Sequence, residues 1–515
     1  MSADDRAFVR AISKLAYCNP FLPERIESER GALGADYVAA DAIWHARADS
    51  AYESPNMVKL TQRAETVAER FYERLRRGER VASDELAFYE DLVLYLLYHR
   101  YEADFYRLIL DPSSSIRKIG FYDKFLRDFE RYLRLPNVVL PTSHDPPQLF
   151  AAFFQVRRAF HFIFRNIIGG SMPAARLRAA VWQSVFTRDM RRYHRSLYDR
   201  MHDVTTLISG PSGTGKELVA QAIGLARYIP FDPDRRAFTG EFAASFYPLN
   251  LSALSPTLIE SELFGHRRGA FTGAVDDRVG WLAVCPPLGT VFLDEIAEVD
   301  VAIQVKLLRI LQTRTFHRLG ETKERRFEGK IIAATNRDLA VEMQAGRFRP
   351  DLYYRLCSDL IETPSLEEHL RDAPEDLGNL VLFIAQRVAG DSEAASLAAE
   401  AEHWIEENLG RDYRWPGNVR ELEQCVRNVM IRGVYRAQRG IHDSSRDALA
   451  GAFLSGSLTA DELLRRYCTL VYAQTGTYHE TSRRLGLDRR TVKGKIDQPL
   501  LEQLRFKNDS GRQDR

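Results

Sequence analysis

Hydrophobic residues recur at helical spacing through the first 160 residues of the chain. One series runs from Leu86 to Leu96 and a second from Phe121 to Leu133. Because positions three and four apart share one face of a helix, both series predict amphipathic helices. A proline-rich stretch at 136–147 interrupts them before a further aromatic helix at 153–168. Region 1–160 is predicted to be an all-α regulatory or sensor region packed by aromatic side chains, with a ligand pocket lined by the same rings as the alternative.

From about residue 165 the pattern changes to short apolar runs that alternate with helical stretches. The runs lie at 205–208, 290–293 and 330–333, and each is followed by a polar or glycine-containing turn. Alternating strands and helices predict a parallel sheet with crossover helices. The later segments are predicted to be an α/β subdomain at 165–363, a helical subdomain at 364–438, a polar linker at 439–457 and a small helical module at 458–515.

Composition limits what can be said about partners and compartment. The chain has 515 residues, enough for several domains, and its 72 basic residues balance 71 acidic ones. Net charge therefore gives no argument for nucleic-acid binding. The five cysteines are far apart and form no Cys-x-x-Cys pair, which argues against a disulfide framework or a zinc site.

The most hydrophobic stretch, Leu92 to Leu97, is too short and too closely flanked by charges to span a bilayer. The first ten residues are charged and lack the apolar core of a signal peptide. These features predict a soluble cytoplasmic protein without a membrane partner.

A glycine-rich heptapeptide follows the first apolar run and precedes a helix predicted at 217–225. It reads Gly210, Pro211, Ser212, Gly213, Thr214, Gly215 and Lys216. Backbone N–H groups of such a loop surround phosphate oxygens, and the lysine reaches the terminal phosphates beside a helix N-terminus. The segment predicts a nucleotide-binding loop. Glu217 replaces the usual Ser or Thr, so the metal contacts must be completed differently here.

Polar side chains end two other predicted strands. Asp294 and Glu295 close the run 290–293, and Asn336 follows the run that starts at residue 330. An aspartate at this edge of the sheet can hold Mg²⁺, and the next carboxylate can polarise the attacking water. Asn336 can contact the γ-phosphate or orient that water. The three residues indicate hydrolysis of a nucleoside triphosphate.

A hexapeptide of small residues around one aromatic lies between the phosphate loop and the acidic pair. It consists of Gly269, Ala270, Phe271, Thr272, Gly273 and Ala274. Two glycines and two alanines make a poor helix and a poor core segment. The pattern predicts a mobile loop tip that presents one aromatic side chain to a partner.

These motifs resemble those of the sigma-54-dependent transcriptional activators, bacterial AAA+ ATPases also called enhancer-binding proteins. The resemblance is dense over about 165–435 and weaker at the C-terminus. It rests on GPSGTGKE, ESELFGHRRGAFTGA, GTVFLDEI, AATNRDL, FRPDLYYRL and WPGNVRELE, in that order. Glu217 matches the family's Glu after the lysine, whereas Pro211 stands where the family usually has Glu.

The resemblance implies residues for binding ATP and Mg²⁺. Lys216 and its loop, with Glu217, would bind ATP, and Asp294 would hold Mg²⁺. Arg420 resembles the second sensor, carried by the helical lid.

The resemblance also implies residues for hydrolysis. Glu295 would activate water, Asn336 would be the first sensor, and Asn250 would be the switch asparagine that pairs with the catalytic Glu until the nucleotide state releases it. Arg349 and Arg355 resemble arginine fingers supplied to a neighbouring subunit, a role that suits a permanently charged bidentate group. Arginines acting between subunits require a ring, which the resemblance implies is a homo-oligomer, expected to be hexameric.

The hexapeptide at 269–274 corresponds, by the same resemblance, to the loop that contacts sigma-54. Phe271 and Thr272 would make the contact, and ATP hydrolysis would raise and lower the loop to open a promoter complex. The segment 316–327 would be a second pore loop that moves with it.

The C-terminal sequence has the spacing of a helix-turn-helix. Helices are predicted at 477–485 and 488–496, with Leu485, Leu487, Val492 and Ile496 on the buried face. Its second helix resembles the Fis-like DNA-binding module of the family. The residues predicted to contact double-stranded DNA are Arg489, Arg490, Thr491, Lys493 and Lys495.

The sequence therefore predicts an α/β AAA+ P-loop ATPase core with an α-helical lid, an all-α N-terminal region and a C-terminal helix-turn-helix. The predicted function is an ATP-dependent activator that binds upstream DNA and remodels sigma-54 RNA polymerase holoenzyme. Two alternatives stay open: a DNA-binding regulator of the same fold that represses or acts on another form of polymerase, and an AAA+ ATPase that remodels protein substrates.

Overall fold

The computed structural model describes residues 2–39, 54–111, 117–136, 138–241, 245–437, 458–498 and 500–501. Contacts divide the chain into two compact units, 1–435 and 436–515. The predicted linker at 439–457 lies outside the described residues, as does the end of the chain from 502 onward. In the described part of the chain, no helix is long and apolar enough to cross a membrane.

The N-terminal region is helical, as predicted. Its helices are α1 (Ala3–Tyr17), α2 (Pro23–Leu33), α3 (Pro55–Arg76), α4 (Ser83–Leu110), α5 (Tyr122–Leu133), α6 (Pro146–Asn166) and α7 (Met172–Phe186).

Helix α6 begins earlier than the sequence pattern indicated. The Asp145 side chain caps it by accepting a hydrogen bond of 3.3 Å from the backbone N–H of Gln148. Proline is tolerated in the first turn of a helix because that N–H has no partner within the helix. The prolines at the end of the 136–147 stretch therefore start a helix. The predicted domain boundary at 160–165 falls inside α6.

Five parallel strands form the central sheet. They are β1 (Thr206–Ser209), β2 (Phe246–Asn250), β3 (Thr290–Asp294), β4 (Lys330–Thr335) and β5 (Asp359–Glu362), in the order β5-β1-β4-β3-β2. The three predicted runs became β1, β3 and β4. The strands that the pattern missed, β2 and β5, are the two edge strands, which are exposed at several positions and so lack a continuous apolar run.

Helices surround the sheet and continue into a helical lid. Those of the α/β part are α8 (Lys216–Gly224), α9 (Pro256–Phe264), α10 (Val301–Thr313), α11 (Leu339–Gln344) and α12 (Pro350–Leu356). Those of the lid are α13 (Leu366–Asp372), α14 (Asp376–Ala389), α15 (Asp391–Asn408) and α16 (Asn418–Arg432). This architecture is that of an AAA+ α/β core with a lid, as predicted.

One hydrophobic core joins the N-terminal helices to a face of the sheet. Helices α6 and α7 pack on α8, the helix that follows the phosphate loop. Phe150 and Phe154 belong to the same buried cluster as Val219 of α8 and as Ile208 and Ile332 of the sheet. Because this core is continuous, residues 1–435 form one unit.

The C-terminal unit contains three described helices, α17 (Ala460–Thr475), α18 (Tyr478–Leu485) and α19 (Arg489–Lys495). The Asp488 side chain caps α19 by accepting from the N–H groups of Arg490 and Thr491, at 2.8 and 2.9 Å. Val492 is fully buried, whereas the other three predicted core residues are half-buried.

Candidate functional site

The glycine-rich loop connects β1 to α8, which begins at Lys216. The Lys216 ammonium is buried and donates to the carbonyl oxygens of Gly210 and Pro211, at 3.0 and 3.1 Å. Burial lowers the pKa of Lys216, partly offset by the carboxylates of Glu295 and Asp294. A phosphate group beside this ammonium would stabilise its charged form.

Two side chains of the lid contact the tip of this loop. Arg420 donates to the Ser212 hydroxyl at 3.0 Å, and the Asn418 amide donates to the Ser212 carbonyl oxygen at 2.9 Å. The lid lies so close that a Cβ at Gly213 would stand 2.3 Å from the carbonyl oxygen of Gly417, a distance that only glycine permits. The structure thus brings Arg420 to the nucleotide loop.

Asn418 and Thr363 are contact residues that sequence reasoning missed. The Thr363 hydroxyl, just after β5, lies 2.7 Å from the Thr214 hydroxyl. Asn418 has a φ of 54° and accepts from the N–H of Leu366 at 2.8 Å, so it joins the lid helices to the loop. Its place in the WPGNVRELE motif was the available signal.

The acidic pair lies at the carboxyl end of β3. Glu295 has a φ of 55°, and its N–H donates to the Asp294 carboxylate at 3.0 Å. The N–H of Asn336, after the neighbouring strand β4, donates to the Glu295 carboxylate at 3.3 Å. Burial raises the pKa of Asp294, opposed by the hydrogen bond from the Glu295 N–H and by the positive charges of Lys216 and Arg420. These residues therefore converge on one edge of the sheet.

Asn250 also reaches this edge but has a different side-chain partner. It ends β2 directly opposite Asp294 in the strand register. Its side-chain oxygen accepts from the N–H and the hydroxyl of Ser252, at 3.0 and 2.8 Å. An Asn250–Glu295 hydrogen bond is not among the contacts of the described residues.

The residues at this edge fit a nucleoside triphosphate with a divalent cation. Lys216 and the N-terminus of α8 provide positive potential, and Asp294 provides a half-buried carboxylate whose raised pKa a divalent cation would lower. Glu295 provides a second carboxylate beside the first. The set has the chemistry of phosphate binding and of water activation.

Arg349 and Arg355 lie apart from these groups. Arg349 precedes α12 and makes a bidentate ion pair with Asp351, at 3.0 and 2.7 Å. Arg355 is exposed and donates to the carbonyl oxygen of Leu311 at 3.0 Å. Within the described residues, neither arginine contacts Lys216 or the acidic pair.

The hexapeptide forms a closed turn between the short strands Gly265–His266 and Arg278–Val279. The N–H of Gly269 donates to the carbonyl oxygen of Ala274 at 2.8 Å. Phe271 is half-buried, with its ring centroid 5.0 Å from that of His266 in an edge-on arrangement. His266 offers the Phe271 ring a packing partner in this conformation, and the presentation of this ring to a partner stays a prediction. Thr272 is exposed.

The second predicted pore loop is hydrogen-bonded to the first. Leu319 donates to the carbonyl oxygen of Gly265 and accepts from the N–H of Arg267, both at 2.9 Å. The Arg267 side chain also pairs with Glu321 at 3.2 Å. A displacement of one loop must therefore displace the other or break these bonds.

The predicted DNA-contact residues differ in exposure and in their contacts within the described part of the chain. Arg489, Arg490 and Lys493 are exposed on α19. The Thr491 hydroxyl donates to the capping Asp488 at 2.5 Å, and Lys495 makes an ion pair with Asp461 of α17.

Comparison with known proteins identifies the α/β part. Residues 184–362 match the model of the sigma-54 interaction domain. The hydrogenase regulatory protein HoxA of Bradyrhizobium diazoefficiens is 43% identical over 232 residues, which cover 45% of this chain and 43% of that protein. ZraR of Escherichia coli K12 is 37% identical over 306 residues, covering 57% and 63%. The Nif-specific regulatory protein of Azotobacter vinelandii is 41% identical over 242 residues, covering 46% and 42%.

Each matched segment thus spans less than two thirds of the curated relative's length. Among solved structures, NtrX from Brucella abortus in complex with ATP has a TM-score of 0.40 and 22% identity, covering 76% of this chain and 82% of that one. The segment that matches the sigma-54 interaction domain, 184–362, contains the phosphate loop, the acidic pair and the hexapeptide hairpin. The relatives named above are regulatory proteins. Residues 184–362 thus match a sigma-54 interaction domain, and through this domain the chain is similar to regulatory proteins such as HoxA, ZraR and the Nif-specific regulatory protein.

Proposed function

We propose that this protein hydrolyses ATP in a homo-oligomeric ring and uses the hydrolysis to convert closed complexes of sigma-54 RNA polymerase holoenzyme into open ones. The C-terminal helix-turn-helix binds double-stranded DNA upstream of the promoter. The observation that carries the proposal is the coexistence of two features in one α/β core. Its sheet edge gathers Lys216, Asp294 and Glu295, and its hairpin presents Thr272 to solvent.

Each residue at the sheet edge has a distinct part in hydrolysis. Glu295 is placed to accept a proton from the attacking water, and Asn336 holds the Glu295 carboxylate through its N–H. Lys216 and Asp294 would hold the phosphates and Mg²⁺, and bound Mg²⁺ supplies neutralisation of charge on the phosphate oxygens. Arg349, which is half-buried and paired with Asp351, and the exposed Arg355 act on the nucleotide of a neighbouring subunit.

The lid and the loop pair connect hydrolysis to movement. Arg420 and Asn418 bind the loop tip through Ser212, so a change in the occupant of the loop alters the lid contact. The hydrogen bonds of Leu319 couple the second pore loop to the hexapeptide hairpin. The sigma-54 contact is thereby carried by two hairpins that move together.

Replacement of Glu295 by Gln tests the ATPase part of the proposal. The amide keeps the shape of the side chain but cannot accept the proton, so ATP turnover should fall by about 100-fold or more. Binding of ATP, measured by calorimetry, should be retained. Glu400→Gln on the exposed face of α15 is the matched control and should leave turnover unchanged.

Turnover at the wild-type rate in the Glu295→Gln variant would show that another group is the base. Promoter opening with sigma-54 holoenzyme should disappear together with turnover. Unaltered opening by this variant would instead favour a regulator that does not need hydrolysis.

A further inference from the structure

We propose that a cleft of about 650 Å³ at the base of the ATPase sheet binds a small aromatic anion. Its floor contains Lys330, the first residue of β4, whereas Asn336 of the nucleotide site follows the other end of the same strand. The cleft and the nucleotide site therefore lie at opposite ends of the sheet. Binding there does not depend on the sigma-54 assignment.

Three parts of the chain line this cleft. Helix α6 contributes Gln148 and Gln155, and the segment between α7 and β1 contributes Tyr193 and Tyr198. Helix α7 contributes Ser184 and Val185, and the α/β core contributes further wall residues, including Tyr228. A ligand in the cleft would contact the N-terminal helices, the connecting segment and the ATPase core at once.

Besides the exposed Arg326, three cationic side chains line the cleft. Lys330 donates to the carbonyl oxygens of Val204 and Met201, at 2.6 and 3.4 Å. Arg314 donates to the carbonyl oxygens of Gly329 and His202, both at 3.0 Å.

The third cation, Arg227, donates to the carbonyl oxygen of Gly289. Carbonyl oxygens carry only partial charge, and the side chain of Asp203, which pairs with Arg314 at 3.0 Å, is 63% exposed. The half-buried carboxylate of Asp359, at the start of β5, also acts on Lys330. One partly buried carboxylate faces three cations, so the positive charge of the cluster is incompletely balanced.

These three cations lie deeper in the cleft than the carboxylates, and this difference favours binding of an anion at the floor of the cleft. Lys330 is only 2% exposed. The carboxylates that line the cleft are all exposed: Asp145, Asp199, Asp203 and Glu328. Charges near solvent are screened, whereas charges in the interior interact strongly. An anion at the floor thus gains more from the cations than it loses to the carboxylates.

The electrostatics of the cations agree with this placement. Burial lowers the pKa of Lys330 to about 7 and that of Arg227 to about 10. The carboxylate of Asp359 partly offsets the effect of burial on the pKa of Lys330, whereas Arg227 and Arg314 lower this pKa, because like charges repel. An anion held between them would offset this repulsion and favour the protonated ammonium.

The aromatic part of the ligand follows from the other side chains of the wall. The rings of Tyr198 and Tyr228 lie 4.7 Å apart in a tilted pair. Phe231, Phe327 and Leu288 add apolar surface. Rings and aliphatic groups beside a cationic floor suit a planar apolar body that carries one acidic group.

The test uses 8-anilinonaphthalene-1-sulfonate, an aromatic anion, and its neutral analogue N-phenyl-1-naphthylamine, with the full chain. The sulfonate should bind at least about tenfold more tightly than the neutral compound, because a charge-assisted hydrogen bond contributes about 1.5 kcal/mol or more, and about 1.4 kcal/mol is a tenfold gain in affinity. Lys330→Met should weaken sulfonate binding about tenfold and leave the neutral compound unaffected. Lys323→Met, at an exposed position, is the matched control and should leave both unchanged.

Leu288→Trp supplies a second variant that fills the cleft and leaves its charges in place. It should weaken binding of both compounds. If Lys330→Met fails to fold, this variant still tests whether the compounds bind in the cleft. Sulfonate affinity equal to wild type in folded variants, or equal affinities for the two compounds in wild type, would overturn the proposal.

Hydrogen exchange then locates the probe. Sulfonate binding should slow exchange in the segment 193–204, which lines the cleft. Protection confined to the phosphate loop, with none in that segment, would also overturn the proposal.

Discussion

Buried lysine and arginine side chains hold backbone segments in place through carbonyl oxygens. Lys330 binds the carbonyl oxygens of Met201 and Val204. Arg178 binds those of Ile167 and Gly169, at 3.2 and 2.8 Å. A buried cation satisfied mainly by carbonyl groups remains costly to desolvate. Such side chains make the stability of the protein dependent on pH.

The pKa of Lys330 gives this dependence a definite sign. Below pH 7 the side chain is charged in both the folded and the unfolded chain, and the folded chain bears the cost of burying the charge. Between about 7 and the ordinary value of 10.5, the folded chain has released a proton that the unfolded chain keeps. The contribution of Lys330 to the free energy of unfolding should therefore rise with pH through this window.

Comparison with Lys330→Met isolates this contribution. The Tm of the wild type relative to that of the variant should increase between pH 6.5 and pH 9 in calorimetric scans. Parallel Tm profiles for the two proteins across this range would contradict the account.

The N-terminus of α7 is held by the lid. The N–H groups of Gly170 and Ser171 donate to the Asp376 carboxylate, at 2.7 and 2.9 Å. The Ser171 hydroxyl lies 2.8 Å from the His369 ring. Since α7 also packs on α8, one helix connects the N-terminal region to both the lid and the helix that follows the phosphate loop.

Replacement of Asp376 by Ala should loosen this connection. Asp376 is 1% exposed, and its loss leaves two N–H groups without their charged acceptor, at a cost of about 2–3 kcal/mol. We expect a lower Tm by circular dichroism, whereas Asp412→Ala at an exposed position of the lid should have no effect. Equal Tm values for the two variants would contradict a stabilising role for the contact between Asp376 and the N-terminus of α7.

The exposed side chains of α19 are predicted to bind DNA. Removal of Arg489 and Arg490 together should weaken binding of the full chain to an upstream DNA fragment about tenfold or more and reduce its salt dependence. Arg465→Ala on α17 is the control. Retention of wild-type affinity by the double variant in fluorescence anisotropy would exclude α19 as the DNA-binding helix.

The sequence predicted the buried elements well, because a buried strand is visible as a run of apolar residues. The central strands β1, β3 and β4 are continuous apolar runs, and Lys216, Asp294 and Glu295 follow from them. The edge strands and the early start of α6 were missed because exposure and proline obscure the pattern. The contacts of Thr363 and Asn418 join positions distant in sequence, and no local pattern encodes such a pairing.

At the scale of the molecule, residues 1–435 form one unit with a continuous core. Region 1–160, predicted to be a regulatory or sensor region, shares a buried core with the sheet. Any change in the N-terminal helices would therefore reach α8 through direct packing. The nucleotide site and the hexapeptide hairpin lie in the same unit.

The central claim, that the hexapeptide delivers the work of hydrolysis to sigma-54, is tested most directly at Thr272. Its side chain is exposed and has no role in the nucleotide site, so Thr272→Ala should leave ATP turnover at the wild-type rate. Open-complex formation by sigma-54 holoenzyme, measured in parallel with Thr66→Ala as control, should be abolished by Thr272→Ala alone. Promoter opening at the wild-type level in the Thr272→Ala variant would contradict the account.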